Sequence, residues 1–233
     1  MGRSRGRGLS LLVALVALVV LLAGCGGGDE GSAAHVNEDT GSTNGVPLDE
    51  REGTAPAPAG ETDLAAAADK ASCVLLPTLP DEGDEELPPD APAPDYEAVL
   101  PTSGPHVEPP HQQADGAYLL TPESTDVVAA LDHGRVAIQY APDLSEETQL
   151  AIKGLYDTMY GGTLFFPNET MNYAVAATAW RGFIGCTTWQ EDLTLDAIRA
   201  FAKSAWGKRG SEPVDAYPVS GPTPRDPAEP DAS

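Results

Sequence analysis

Apolar positions along this chain form one dense block near the start and a series of short runs after residue 96, with a long polar stretch between them. The block runs from Leu9 to Leu22 and is almost unbroken Leu, Val and Ala. It is short for a spanning helix, which needs about 20 apolar residues. With Arg3, Arg5 and Arg7 before it and the small residues Ala23 and Gly24 after it, the pattern reads as an export signal over residues 1–24.

The later runs predict elements. Ile152, Leu155, Tyr156 and Met159 share a helical face, Ser145 suits the N-cap with Glu146 and Glu147 in the first turn, and Gly161-Gly162 ends the helix. Val136–Tyr140, Thr163–Phe166, Tyr173–Trp180 and Phe183–Cys186 read as strands, and Ala117–Leu120 as an edge strand. A last helix starts at Asp192 or Thr194 and turns Leu195, Ile198, Ala202 and Ala205 one way. For Val127–Leu131, periodicity does not arbitrate between helix and strand. Asp132-His133-Gly134 is a turn in which Gly134 is free to take positive φ. The sum is a small α+β domain over residues 96–210, with a mainly antiparallel sheet and two helices on one face.

The polar stretch, residues 25–95, is rich in Gly, Pro, Asp and Glu and buries too little apolar area to offset ordering entropy. It is expected to be a disordered tether, interrupted near 62–79 by a short helix and an extended docking segment. Residues 211–233 have the same character and are expected to be a disordered tail. Asp81 to Glu86 is acidic but lacks the Asp-x-Asp-x-Asp-Gly spacing of a calcium loop. Asn168-Glu169-Thr170 matches a glycosylation acceptor, to which a bacterial export route gives no meaning.

Leu22-Ala23-Gly24-Cys25 closes the signal as a lipobox-like sequence. Lipidation would join Cys25 to diacylglycerol and, after cleavage, leave it as an acylated N-terminus. Palmitate-type chains contribute about 0.8 kcal/mol per buried methylene, so several of them anchor stably. The expected place of work is the extracytoplasmic face of a cell membrane, with the membrane as partner through Cys25. The alternatives are an ordinary secretory signal and a retained single-pass anchor. Cys73 and Cys186 then form a candidate disulfide, the alternative being two unpaired thiols.

Charge removes one class of function. Thirteen basic residues face 36 acidic ones, a net charge of −23, and three of the bases lie in the signal. Nucleic acid is not an expected partner, because phosphate binding needs a basic face.

Pro101-Thr102-Ser103-Gly104-Pro105-His106, Leu131-Asp132-His133-Gly134 before a strand, Thr178-Ala179-Trp180 and Gly210-Ser211-Glu212-Pro213 together resemble the bacterial family catalogued as domain of unknown function 3105. The family pattern places His and Glu where this chain has Ala129 and Asp132, and Gly where it has Arg181. The resemblance implies an exported or lipid-anchored protein and no established activity.

His106, His111 and His133 are the only histidines after the polar stretch. They are candidate ligands for copper or zinc, with Met159 and Met171 as thioethers and Asp132 orienting His133. The alternative is that His106 and His133 lock two irregular segments by bonding to backbone. A Ser103–His133–acid triad lacks the Gly-x-Ser-x-Gly elbow, and a helical His-Glu-x-x-His is absent. Trp180, Trp189 and Trp206 suit core packing before a ligand groove. The reading is a non-enzymatic binding or envelope-associated module, with metal binding as the alternative and a hydrolase as a distant third.

Overall fold

The computed structural model describes residues 41–159 and 161–213. The export signal, Cys25, His35, the first part of the tether and residues 214–233 lie outside the described residues. The elements are α1 (Leu64–Lys70), β1 (Val74–Leu76), β2 (Glu86–Leu87), β3 (His106–Val107), β4 (Gly116–Ala117), α2 (Ser124–Asp132), β5 (Val136–Tyr140), α3 (Glu146–Met159), β6 (Thr163–Pro167), β7 (Val175–Ala179), β8 (Gly182–Cys186) and α4 (Glu191–Ala205).

Six strands form one sheet in the order β1-β8-β7-β5-β6-β4. The pairs β1–β8, β8–β7 and β7–β5 are antiparallel, whereas β5–β6 and β6–β4 are parallel. The fold is α+β with a mainly antiparallel sheet. A parallel neighbour needs a crossover, and α3 supplies the one from β5 to β6. Trp180-Arg181 joins β7 to β8, with Arg181 at φ 53°, in the left-handed region that favours glycine.

Side-chain alternation sorts the strands between two cores. Val136, Ile138, Phe165, Val175, Ala177 and Ile184 point toward α1, α3 and α4. Ala137, Leu164 and Phe166 point the other way, where Val128 and Leu131 of α2 cover them with Trp180. All five residues of β5 are buried for this reason. The expectation of two helices on one face is therefore corrected: three helices cover that face, and α2 covers part of the other. Val127–Leu131 is helical and enclosed around its whole circumference, so it carries no polar stripe to mark it as a helix.

The short helix and docking segment near 62–79 take the form of α1 and β1. Asp63 caps α1 by accepting from the Ala66 N–H at 2.9 Å. Cys73 and Cys186 are joined in a disulfide that ties the entry to β1 to the last residue of β8.

Residues 41–61 do not behave as the expected tether; they pack on the domain as a strap. The Asp49 N–H donates to the Ala117 carbonyl and the Leu119 N–H to Pro47, so the strap runs along the β4 edge. The Thr54 N–H then donates to the Leu150 carbonyl, and the Gly53 N–H to Asp157. The N–H groups of Gly60 and Glu61 both reach one Asp196 oxygen at 2.9 Å, and Arg199 donates to the Ala57 carbonyl. Strap and α3 cross at Gly53 and Gly154, where a methyl on either glycine would overlap the other backbone. The strap needs little apolar area because backbone donors and buried carboxylates hold it. The acidic stretch is engaged as well, since Gly83, Glu85 and Leu87 accept backbone bonds from Gly104, His106 and Glu108.

Candidate functional site

Proline and glycine chemistry sets the path of Pro101–His106. Gly104 takes φ 118°, with no room for a side chain against the Tyr96 ring, and the Tyr96 hydroxyl donates to the Pro105 carbonyl at 2.6 Å. Burial, then the nearby Glu82 charge, pushes the Tyr96 phenol far above its usual range. The turn delivers His106 into the interior at 2 % exposure.

His106 Nδ1 lies 2.8 Å from the Gly104 carbonyl. A carbonyl only accepts, so Nδ1 carries the proton. Nε2 faces Asp132 Oδ2 at 3.7 Å, and the Trp180 ring meets the imidazole edge-on at 5.8 Å. Asp132 ends α2, and its carboxylate accepts the Ser211 N–H at 2.7 Å and the Ser211 hydroxyl at 2.8 Å. Gly210, at φ 125°, passes directly over the Asp132 carbonyl, where a Cβ would collide. Gly134 takes φ 85° and its carbonyl accepts the Gly207 N–H. Three separated segments of the motif set thus meet at one buried carboxylate.

This arrangement is a clasp. The carboxylate, not the imidazole, stands next to the serine hydroxyl, so the nucleophile–base–acid order of a triad is missing here. Ser103 is fully buried and accepts the Glu82 N–H. His133 is buried at the C-cap of α2, one turn after the buried Ala129. His111 is exposed, and its carbonyl accepts from Asn44. Met159, the last residue of α3, lies in the core, and Met171 in a separate cluster with Leu100 and Phe183. Among the described residues no three His, Cys, Asp or Glu side chains are placed to hold a metal ion, so His106, His111 and His133 are not brought together as one site. Trp180, Trp189 and Trp206 all pack against the two main cores.

Among the described residues, two open clefts lie on the sheet face that α2 leaves uncovered. Val99 and Leu100 form a ridge between two clefts. One cleft, about 290 Å³, is lined by Leu76, Leu79, Met171, Tyr173 and Phe183. The other, about 250 Å³, has Pro101, Pro122, Val127 and Phe166 as walls and Gln139 and Asn168 on its floor. The floor amides are engaged with their neighbours: Asn168 donates to Gln139 at 2.7 Å, Gln139 to Thr178 at 3.3 Å, and both the Thr170 N–H and hydroxyl donate to Asn168. Asn168, the matched glycosylation position, is buried. Val99 on the ridge is 64 % exposed. Sequence reasoning missed these residues, because a ridge crossing the sheet from a Pro-rich loop has no local periodicity. The available signal was apolar Val99-Leu100 amid acid and proline.

No curated protein and no solved structure matches the chain. A family model described as a protein of unknown function (DUF3105) matches residues 91–216, more than half of the chain and all four motifs of the clasp region. The chain belongs to that family.

Proposed function

We propose that this chain is a lipid-anchored extracytoplasmic protein whose domain acts as a non-enzymatic binding module. The observation that carries the binding role is the pair of clefts about Val99 and Leu100. It is a mainly apolar concavity in which Val99 and Leu76 are exposed and whose amide floor is engaged within the protein, so an apolar ligand is the kind it suits. The Pro101–His106 segment, which continues the ridge, is fixed by the Arg181 N–H donating to the Thr102 carbonyl, the His106 N–H to Glu85 and the Tyr96 hydroxyl to Pro105.

The address rests on the lipobox-like Leu22-Ala23-Gly24-Cys25 and is supported by the Cys73–Cys186 bridge, since disulfides persist in oxidising compartments. The acidic balance fits a role away from nucleic acid.

Two measurements on the full chain test this reading. Feeding an alkyne fatty acid to expressing bacteria labels the chain and leaves it in the membrane fraction, while Cys25→Ala abolishes the label; equal labelling of both sinks the anchor. Nile red gains fluorescence saturably with the chain, and Val99→Asp weakens this at least tenfold. A dye response that ignores the substitution sinks the binding role.

A further inference from the structure

The charges around the clefts define what fits them. No Lys, Arg or His lines either cleft, and Glu169 is the one ionic side chain among the lining residues. Glu97 precedes Ala98 of one cleft and Glu123 precedes Ser124 of the other. Arg181 reaches the margin at Leu79, but its guanidinium is committed to the Leu79 carbonyl and Asp81. The floor amides and hydroxyls are occupied by one another.

An anionic head group entering here would lose hydration and meet no cation. A cationic one keeps the Glu169 carboxylate beside it. The cleft between Leu76 and Phe183 is lined mainly by apolar side chains, with Asn172 beside them, and suits a hydrocarbon chain. Cleft volumes of about 290 and about 250 Å³ suit one small amphiphile lying across the ridge.

We infer that the site selects by charge, taking an apolar chain that bears an ammonium-type head group, with the head group beside Glu169 and the tail across Val99 and Leu100 in the Leu76–Phe183 cleft. The inference rests on the binding role proposed above and adds the ligand class to it.

Three probes with the same ten-carbon tail, held below their micellar concentrations, test it by calorimetry on the full chain carrying Cys25→Ser: decyltrimethylammonium, decyl maltoside and decanoate. The ammonium probe is expected to bind at one site, at least fivefold tighter than decanoate. Because Glu169 is exposed, that preference shrinks in high salt. Glu169→Gln brings the two charged probes to within about twofold of each other and leaves decyl maltoside unchanged. Leu76→Asp abolishes tail binding of the neutral probe, with a melting curve confirming that the variant folds. Equal affinity for all three probes, or a preference that survives Glu169→Gln, overturns the charge selection and leaves the binding role standing. Failure of all three to bind overturns both.

Discussion

Asp132 takes both the backbone N–H and the hydroxyl of Ser211, 79 residues further along the chain, and so closes the loop after α4 onto the end of α2. With 3 % exposure, this carboxylate has little access to water as a substitute partner. Asp132→Ala removes the charged acceptor of both Ser211 bonds and opens the wall facing His106, and is expected to cost about 2 kcal/mol, the range of hydrogen bonds to a charged group, since Ser211 is exposed and water can take up its donors. Ser211→Ala removes one hydroxyl and is expected to cost about 1 kcal/mol. Urea unfolding of the two single variants and the double variant measures the coupling; strictly additive effects would show that the pair does not act as a clasp.

Gly154→Ala sets two effects against each other. Within a helix, alanine is favoured over glycine by about 1 kcal/mol. At this position the added methyl overlaps the Thr54 carbonyl, and overpacking of this kind costs about 1–3 kcal/mol. The collision wins, and the strap lifts. Limited proteolysis is expected to cut between residues 50 and 61 much faster in the variant, with a smaller fall in overall melting temperature.

Removing the Cys73–Cys186 bridge through Cys73→Ser and Cys186→Ser is expected to cost about 2–5 kcal/mol, since the pair joins positions 113 residues apart in the sequence. The same drop should follow addition of a reductant to the unaltered chain. Guanidinium titrations with and without dithiothreitol check it, and coincident curves would remove the bridge from the stability of the fold.

The pH response is expected from two aspartates of opposite sign. Burial alone would raise the Asp49 carboxyl, but hydrogen bonds and charge from Arg51 outweigh it and hold the carboxyl below its ordinary value. Its contribution is complete above the unfolded carboxylate value of about 3.9 and is lost as pH falls through the lower folded one. Asp126 is shifted upward by burial, despite hydrogen bonds from Asn44 and Thr125. It binds its proton more readily in the folded state, so stability declines as pH rises from about 3.9 through its folded value. Stability measured from about pH 2 to 6 is therefore expected to fall less steeply at low pH in Asp49→Asn and to decline less at higher pH in Asp126→Asn. Unchanged profiles would place the pH response elsewhere.

Where a residue's partners are near in sequence, the pattern of the chain was informative. The apolar stripe of α3 and the runs of β5 through β8 were legible, as was the turn at Gly134, because periodicity and glycine chemistry are local. The strap was not, since Gly53, Gly60 and Glu61 are held by carboxylates at Asp157 and Asp196, more than a hundred residues away. Composition measures the apolar area a segment can bury and is blind to backbone donors finding distant acceptors. His106 and His133 stood out by rarity, yet rarity does not say what they face; Asp132 entered as part of a motif set and as an orienter of His133, and Ser211 only as part of the motif set. The floor of the cleft was hidden most fully, because the residues that make up its amide network had read as a glycosylation tripeptide and an ordinary strand position.

The Cys73–Cys186 bond also fixes how a pull from the N-terminal side travels. Tension entering at residue 41 would peel the strap from β4, α3 and α4 one hydrogen bond at a time, and then unwind α1. At Cys73 it meets a covalent stop on β8, a strand hydrogen-bonded on both sides, so extension halts before the main sheet shears. The covalent stop thus stands between the strap and the strands that line the clefts, so a pull that loosens the strap would have to pass through β8 before it reached them.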